Sequence, residues 1–187
     1  MARLYIGLLT FAAAATLAGC GNSSTASNSG AVVTTEVSAA TPANVNLTPK
    51  GAPRRADGFW EMASFAEDGS PMAKQALCVG AGSEDKFSVF DQLTVMGNCS
   101  KQDFRRTATG WTFETRCEPM GTVAVQKGTI SGDFQQRFLV DQTVSQAAEP
   151  DRKGQIRGTR SGACPAKYKP GDLVDSDGDV LGNMVAH

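Results

Sequence analysis

Five cysteines hold most of the chemistry open to this sequence: Cys20, Cys78, Cys99, Cys117 and Cys164. With Cys20 set apart, four remain, an even number that pairs as disulfides wherever the compartment is oxidising. Zinc is the rival use, but no CxxC or CxxH pair occurs, and structural zinc sites are built on such close ligand pairs. A second pattern is VDSDGDVLGN (174–183), where Asp175, Asp177 and Asp179 alternate as at the start of a calcium loop. Val180 then stands where such a loop needs glycine, and Ala186 where it needs a bidentate glutamate. The competing reading is a hairpin, LVD and DVL around Ser176-Asp177-Gly178, with its acids solvated. Weak calcium binding is the one cofactor the sequence raises.

Catalysis finds less support. The single histidine is the last residue, His187, at a terminus where fraying is the rule. A Ser-His-Asp relay is therefore not expected, and a Cys-His pair would break the even cysteine count. Gly80-Ala81-Gly82-Ser83 looks superficially like a phosphate loop. Asp85, however, sits where a dinucleotide fingerprint has its third glycine, and no Gly-Lys-Ser/Thr ending follows. Glu84 and Asp85 would also repel an anion there. No catalytic residue is assigned, and the expectation is that the chain is not an enzyme.

Cys20 is read with what precedes it. Met1-Ala2-Arg3 leads into the uncharged run LYIGLLTFAAAATLAG (4–19), the layout of a secretory signal. As a helix its 16 residues would span about 24 Å, short of the roughly 30 Å of a hydrocarbon core. Leu17-Ala18-Gly19-Cys20 resembles the lipobox of bacterial lipoproteins. That resemblance implies a diacylglycerol thioether on Cys20, cleavage before it, and acylation (palmitate) of the new amine. Several acyl chains, at about 0.8 kcal/mol per buried CH₂, would anchor the protein durably. Gly21, where an aspartate would favour inner-membrane retention, implies the outer membrane, with the protein facing the periplasm.

The elements that would carry the other cysteines begin far downstream. Between Gly21 and about Asp57 there is no aromatic residue, and small polar residues dominate; such a stretch cannot offset its own ordering entropy. Residues 1–19 are thus read as a lipoprotein signal peptide and 20–57 as lipidated cysteine and disordered tether. Residues 58–170 form the folded domain, and 171–187 an acidic hairpin or flexible tail. The β-prone AVVTTEV (31–37) is the one piece of tether that could join as a strand. Eighteen basic against nineteen acidic residues leave no basic face for nucleic acid. The pairs Arg54-Arg55 and Arg105-Arg106 read as solvated surface. GFWEMASF (58–65) and PMAKQALCV (71–79) make a hairpin about Asp68-Gly69. Ser83 would cap a helix carrying Phe87, Phe90 and Leu93 on one face, ending at Gly97. Strands follow at 99–107, 111–117, 121–130, 134–144 and 154–164, with a turn at Ser131-Gly132-Asp133. The fold class is α+β and β-rich: an antiparallel meander or partly open barrel of six to seven strands with one packed helix.

If the helix returns across the sheet before Cys99, counting strand reversals puts Cys99 and Cys117 at one end and Cys78 and Cys164 at the other. The pairs Cys99–Cys117 and Cys78–Cys164 follow. Facing Cys99 with Cys117 puts Phe104 on the face opposite Trp111 and Phe113, which a β-bulge would cure. GFWEM, LCV, GNC, TRC and SGACPAKYKPGD together resemble the proteobacterial envelope family called domain of unknown function 3617, over roughly residues 56–172. The resemblance implies a secreted or lipid-anchored envelope protein with no assigned activity, and it carries over no catalytic residue.

The functional expectation is a non-enzymatic binding or structural module of the periplasm. Trp60, Phe87, Phe90, Trp111 and Phe113 either face an apolar ligand between helix and sheet or are plain core. An inhibitor or regulator of a cell-wall enzyme is the alternative, with the acidic stretch meeting a basic partner. The expected partners are the membrane, through the lipid anchor, and an envelope protein or small apolar ligand.

Overall fold

The computed structural model describes residues 44–88, 90, 97–119, 121–147 and 149–185. Cys20, the leader, AVVTTEV, Leu93, Ala186 and His187 lie outside the described residues. Among the described residues nine strands form one open antiparallel sheet: β1 Gly58–Ala66, β2 Pro71–Val79, β3 Gly97–Arg106, β4 Trp111–Pro119, β5 Ala124–Gly132, β6 Arg137–Gln146, β7 Arg152–Gly162, β8 Asp172–Val174 and β9 Val180–Asn183. Their order is β3-β4-β5-β6-β7-β1-β2-β8-β9. The five strands β3 to β7 are a simple meander. β1 then lies between β7 and β2, so the chain must cross from β2 to the far edge before starting β3.

Alternation sorts the strands into an inner and an outward face. Trp60, Met62, Trp111, Phe113, Ile130, Phe138, Val140 and Ile156 point inward and form the core. Phe87 and Phe90, which follow β2 in the chain, join that core, with Phe90 edge-on to Phe134 and Phe138.

Four expectations are corrected. The helix is a single turn, α1 Ser83–Lys86, and Phe87 is already extended at φ −141°. Ser83 is no cap: its hydroxyl accepts from Gly80 N and donates to Gly80 O. Phe87, Ser88, Val89 and Phe90 are poor helix formers, and both described phenylalanines gain more from insertion into the core. The strand count among the described residues is nine because the acidic stretch forms the hairpin, one of its two readings, and joins it to the sheet: β8 pairs with β2 through Ala76↔Val174 and Leu77↔Leu173. The turn between β5 and β6 begins later than Ser131. Gly132 stays paired with Phe138, and Asp133 caps the turn by accepting from the backbone N–H of Gln135, Gln136 and Arg137. Burial raises the Asp133 pKa, but those three donors outweigh it and hold the carboxyl below its ordinary value. Phe134 takes φ 56° in this turn and points its ring wholly into the core. Finally, order starts upstream of Gly58. Leu47 bridges to Pro53, Val45 packs on the core, and Ala52 and Arg55 are buried.

Both disulfides pair as strand parity requires, Cys78 with Cys164 and Cys99 with Cys117. The bulge is present as well. Register slips between Cys99 and Lys101, which places Phe104 opposite Phe113 with their rings stacked at 6.1 Å.

Candidate functional site

The five aromatics singled out from sequence do come together, as core. Trp60 is fully buried, and Phe87, Phe90, Trp111 and Phe113 nearly so. Trp60 donates its indole N–H to Ala56 O at 2.8 Å, which satisfies the one polar atom that this ring carries inside. None of the five lines either groove described below.

What sequence reading missed on this face is Arg55. Its side chain is wholly buried, against the expectation of solvated surface. Nη2 lies 2.5 Å from Glu84 Oε1, Nε donates to the same oxygen and the Arg55 backbone N–H to Oε2, each at 3.2 Å. The guanidinium also sits over Trp60 and Phe138, 5.6 and 5.7 Å from the ring centroids. A buried charge is tolerable only when paired and hydrogen-bonded, and Glu84 supplies both. Beside it Arg54 pairs with Asp85, nearer the surface. The turn α1 is thereby clamped to the chain before β1. This is a structural device, and it also explains why Glu84 and Asp85 follow the Gly80-Ala81-Gly82-Ser83 loop.

The outward face is different. A groove with a cavity volume of about 620 Å³ opens across β7, β1 and β2, within the usual range for small-molecule sites. Phe59, Ala63, Phe65 and Ala76 form its floor, and residues 165–168 and 174–178 its walls. The Cys78–Cys164 disulfide fixes the first wall to β2 just before Pro165. Tyr168 ties the walls together: its ring stacks on Phe59 at 5.4 Å, and its hydroxyl donates to Gly178 O at 2.8 Å. Asp172 fastens the base of the hairpin, accepting from Lys169 N at 2.7 Å and Asn183 Nδ2 at 2.8 Å. Those two donors lower its pKa, burial opposing them.

The three aspartates of the tail serve this wall. Asp175 Oδ1 accepts from the backbone N–H of Asp177 and Asp179 at 3.0 and 2.9 Å, so it shapes the turn. Among the described residues no group of three or more acids, histidines or cysteines is placed to hold a metal ion. A second outward groove, of about 450 Å³, runs over β5, β6 and β7. Several of its polar groups are already matched, Lys153 with Glu67 and Gln155 with Asp141, each at 2.7 Å. The first groove has more left to offer a ligand.

Among the described residues no helix is long and apolar enough to cross a membrane. The family model described as protein of unknown function (DUF3617) matches residues 53–164. No curated protein and no solved structure matches the chain. The matched stretch holds all seven strands from β1 to β7 and all four disulfide cysteines, while the groove walls follow it in the chain. Since the match spans well over half of the sequence, the protein belongs to the DUF3617 family.

Proposed function

We propose that this protein is a lipid-anchored binding module of the cell envelope, held through Cys20 at the outer membrane with its domain facing the periplasm. The outward groove carries the reading: an aromatic floor, two walls held by a disulfide and a tyrosine, and charged groups at the rim. Two disulfides support an oxidising compartment, and the lipobox-like Leu17-Ala18-Gly19-Cys20 supports the anchor. Binding without turnover is favoured because the chain has one histidine, at its end, and the groove lining presents aromatic, aliphatic and charged groups.

Expression in a bacterial host fed radiolabelled palmitate tests the anchor. Wild type takes up label and sediments with outer membranes, whereas Cys20→Ala takes up none and is released with the soluble envelope fraction. An unlabelled wild type contradicts the anchor. Native mass spectrometry of protein from its own envelope tests binding. Added mass that Tyr168→Ala loses supports the groove, and repeated absence of added mass contradicts it.

A further inference from the structure

The charges around the groove are arranged in rows by the strand register. On the outward face Glu61 stands between Thr159 of β7 and Ala76 of β2. Two residues along β1, Ala63 stands between Arg157 of β7 and Lys74 of β2. All of these residues line the groove. One anion therefore occupies the centre of one row, and two cations flank a small side chain in the next. The rows are two residues apart, about 6.7 Å along a strand.

None of Glu61, Lys74 and Arg157 has an ion-pair partner among the described residues. Arg157 is nevertheless held in place. Its guanidinium lies 4.6 Å from the Phe65 ring centroid, and Nη2 donates to Gln155 Oε1 at 2.9 Å, which leaves its other N–H donors free for an anion. Elsewhere on the sheet Lys101 meets Glu114, Arg105 meets Asp103 and Lys153 meets Glu67, while Arg116, Glu118 and Lys127 have no ion-pair partner among the described residues but do not line this groove.

We propose that the groove binds a zwitterion of dipeptide length, its ammonium against Glu61 and its carboxylate between Lys74 and Arg157. The proposal rests on the binding-module reading of the same groove and names the ligand class. Two extended residues span about 7 Å, which matches the spacing of the rows. Asp177 on the hairpin wall lines the same groove and adds negative charge to it. The carboxylate end gains charge-assisted hydrogen bonds from a guanidinium already oriented by Phe65. Apolar ligand side chains have Phe59 and Phe65 to cover.

Calorimetric titration of the full chain with alanyl-phenylalanine at low salt tests this, beside the N-acetylated, C-amidated and doubly blocked forms. The free dipeptide binds, and blocking either end weakens binding about tenfold, as for loss of one charged hydrogen-bonded contact. In Glu61→Gln the penalty for N-acetylation disappears while that for amidation stays. In the Lys74→Gln, Arg157→Gln double variant the pattern reverses. All three positions are exposed, and an unchanged melting temperature shows that the variants fold. No binding of the free dipeptide overturns the proposal. Equal binding of the doubly blocked form, lost in Tyr168→Ala, also overturns it but leaves the binding module standing.

Discussion

On the inner face Trp60, Phe90, Phe134 and Phe138 are at most 1% exposed and touch one another. On the outward face Phe59, Phe65 and Tyr168 stay partly exposed around an open groove. The charges divide the same way. Arg55 and Glu84 are enclosed and meet through three contacts within 3.2 Å, while Glu61, Lys74 and Arg157 stand in solvent. Burial explains the contrast: an enclosed ion must be matched by its own chain, whereas an exposed one is satisfied by water until something replaces it. The inner face therefore holds the sheet together, and the outward face leaves these three charges exposed along the groove.

Removing covalent support should break this division most severely. In the chain-entropy model the Cys78–Cys164 bridge, closing 86 residues, contributes about 4.5 kcal/mol, and Cys99–Cys117, closing 18, about 3 kcal/mol. Replacing each pair by alanine should lower urea stability in that order, and only the first replacement should also loosen the wall that carries Tyr168. Limited proteolysis near residues 165–168 reads the second effect. Next, Phe90→Ala should cost roughly 3–5 kcal/mol, the range for truncating a buried ring, because it detaches the crossing segment from Phe134 and Phe138. Chemical denaturation measures it, and a loss under 1 kcal/mol would mean that this segment is not part of the core.

The smallest effect is electrostatic. Since the folded-state pKa of Asp133 is depressed, its contribution is complete above the unfolded value near 4 and fades as pH falls through the folded one. Asp133→Ala should cost about 1 kcal/mol at pH 7, by loss of its hydrogen bonds. It should also show a smaller acid-induced loss than wild type in urea midpoints taken from pH 6 down to pH 2. A parallel acid profile in the two proteins would rule out this role.

Local chemistry was the legible part of the fold. Asp68-Gly69 marks the first hairpin, and strand parity pairs the cysteines. The bulge followed from one conflict, Phe104 on the face opposite Phe113. Long-range partners were the illegible part. Arg55 and Glu84 are 29 residues apart, and nothing in either neighbourhood names the other. Phe87 and Phe90 suit one helix face by spacing, but both rings are buried in the core with Phe87 already extended, and the core decides. A similar limit hid the groove. Alternation offers Phe59 and Phe65 to the outward side, but the tail that walls them in arrives about a hundred residues later. Asp175, Asp177 and Asp179 allowed either a cation loop or a hairpin tip; the hairpin is present, and the Asp175 carboxylate bonds the backbone of its turn.

Two glutamates allow the division of faces to be tested with one substitution chemistry. Urea midpoints of Glu84→Gln and Glu61→Gln, compared with wild type at pH 7, set a buried paired carboxylate against an exposed one. Glu84→Gln should lose about 3 kcal/mol or more, because Arg55 is left buried without its counter-charge, and Glu61→Gln should stay within about 0.5 kcal/mol. Equal losses in the two variants, or the larger loss at Glu61, would contradict the account.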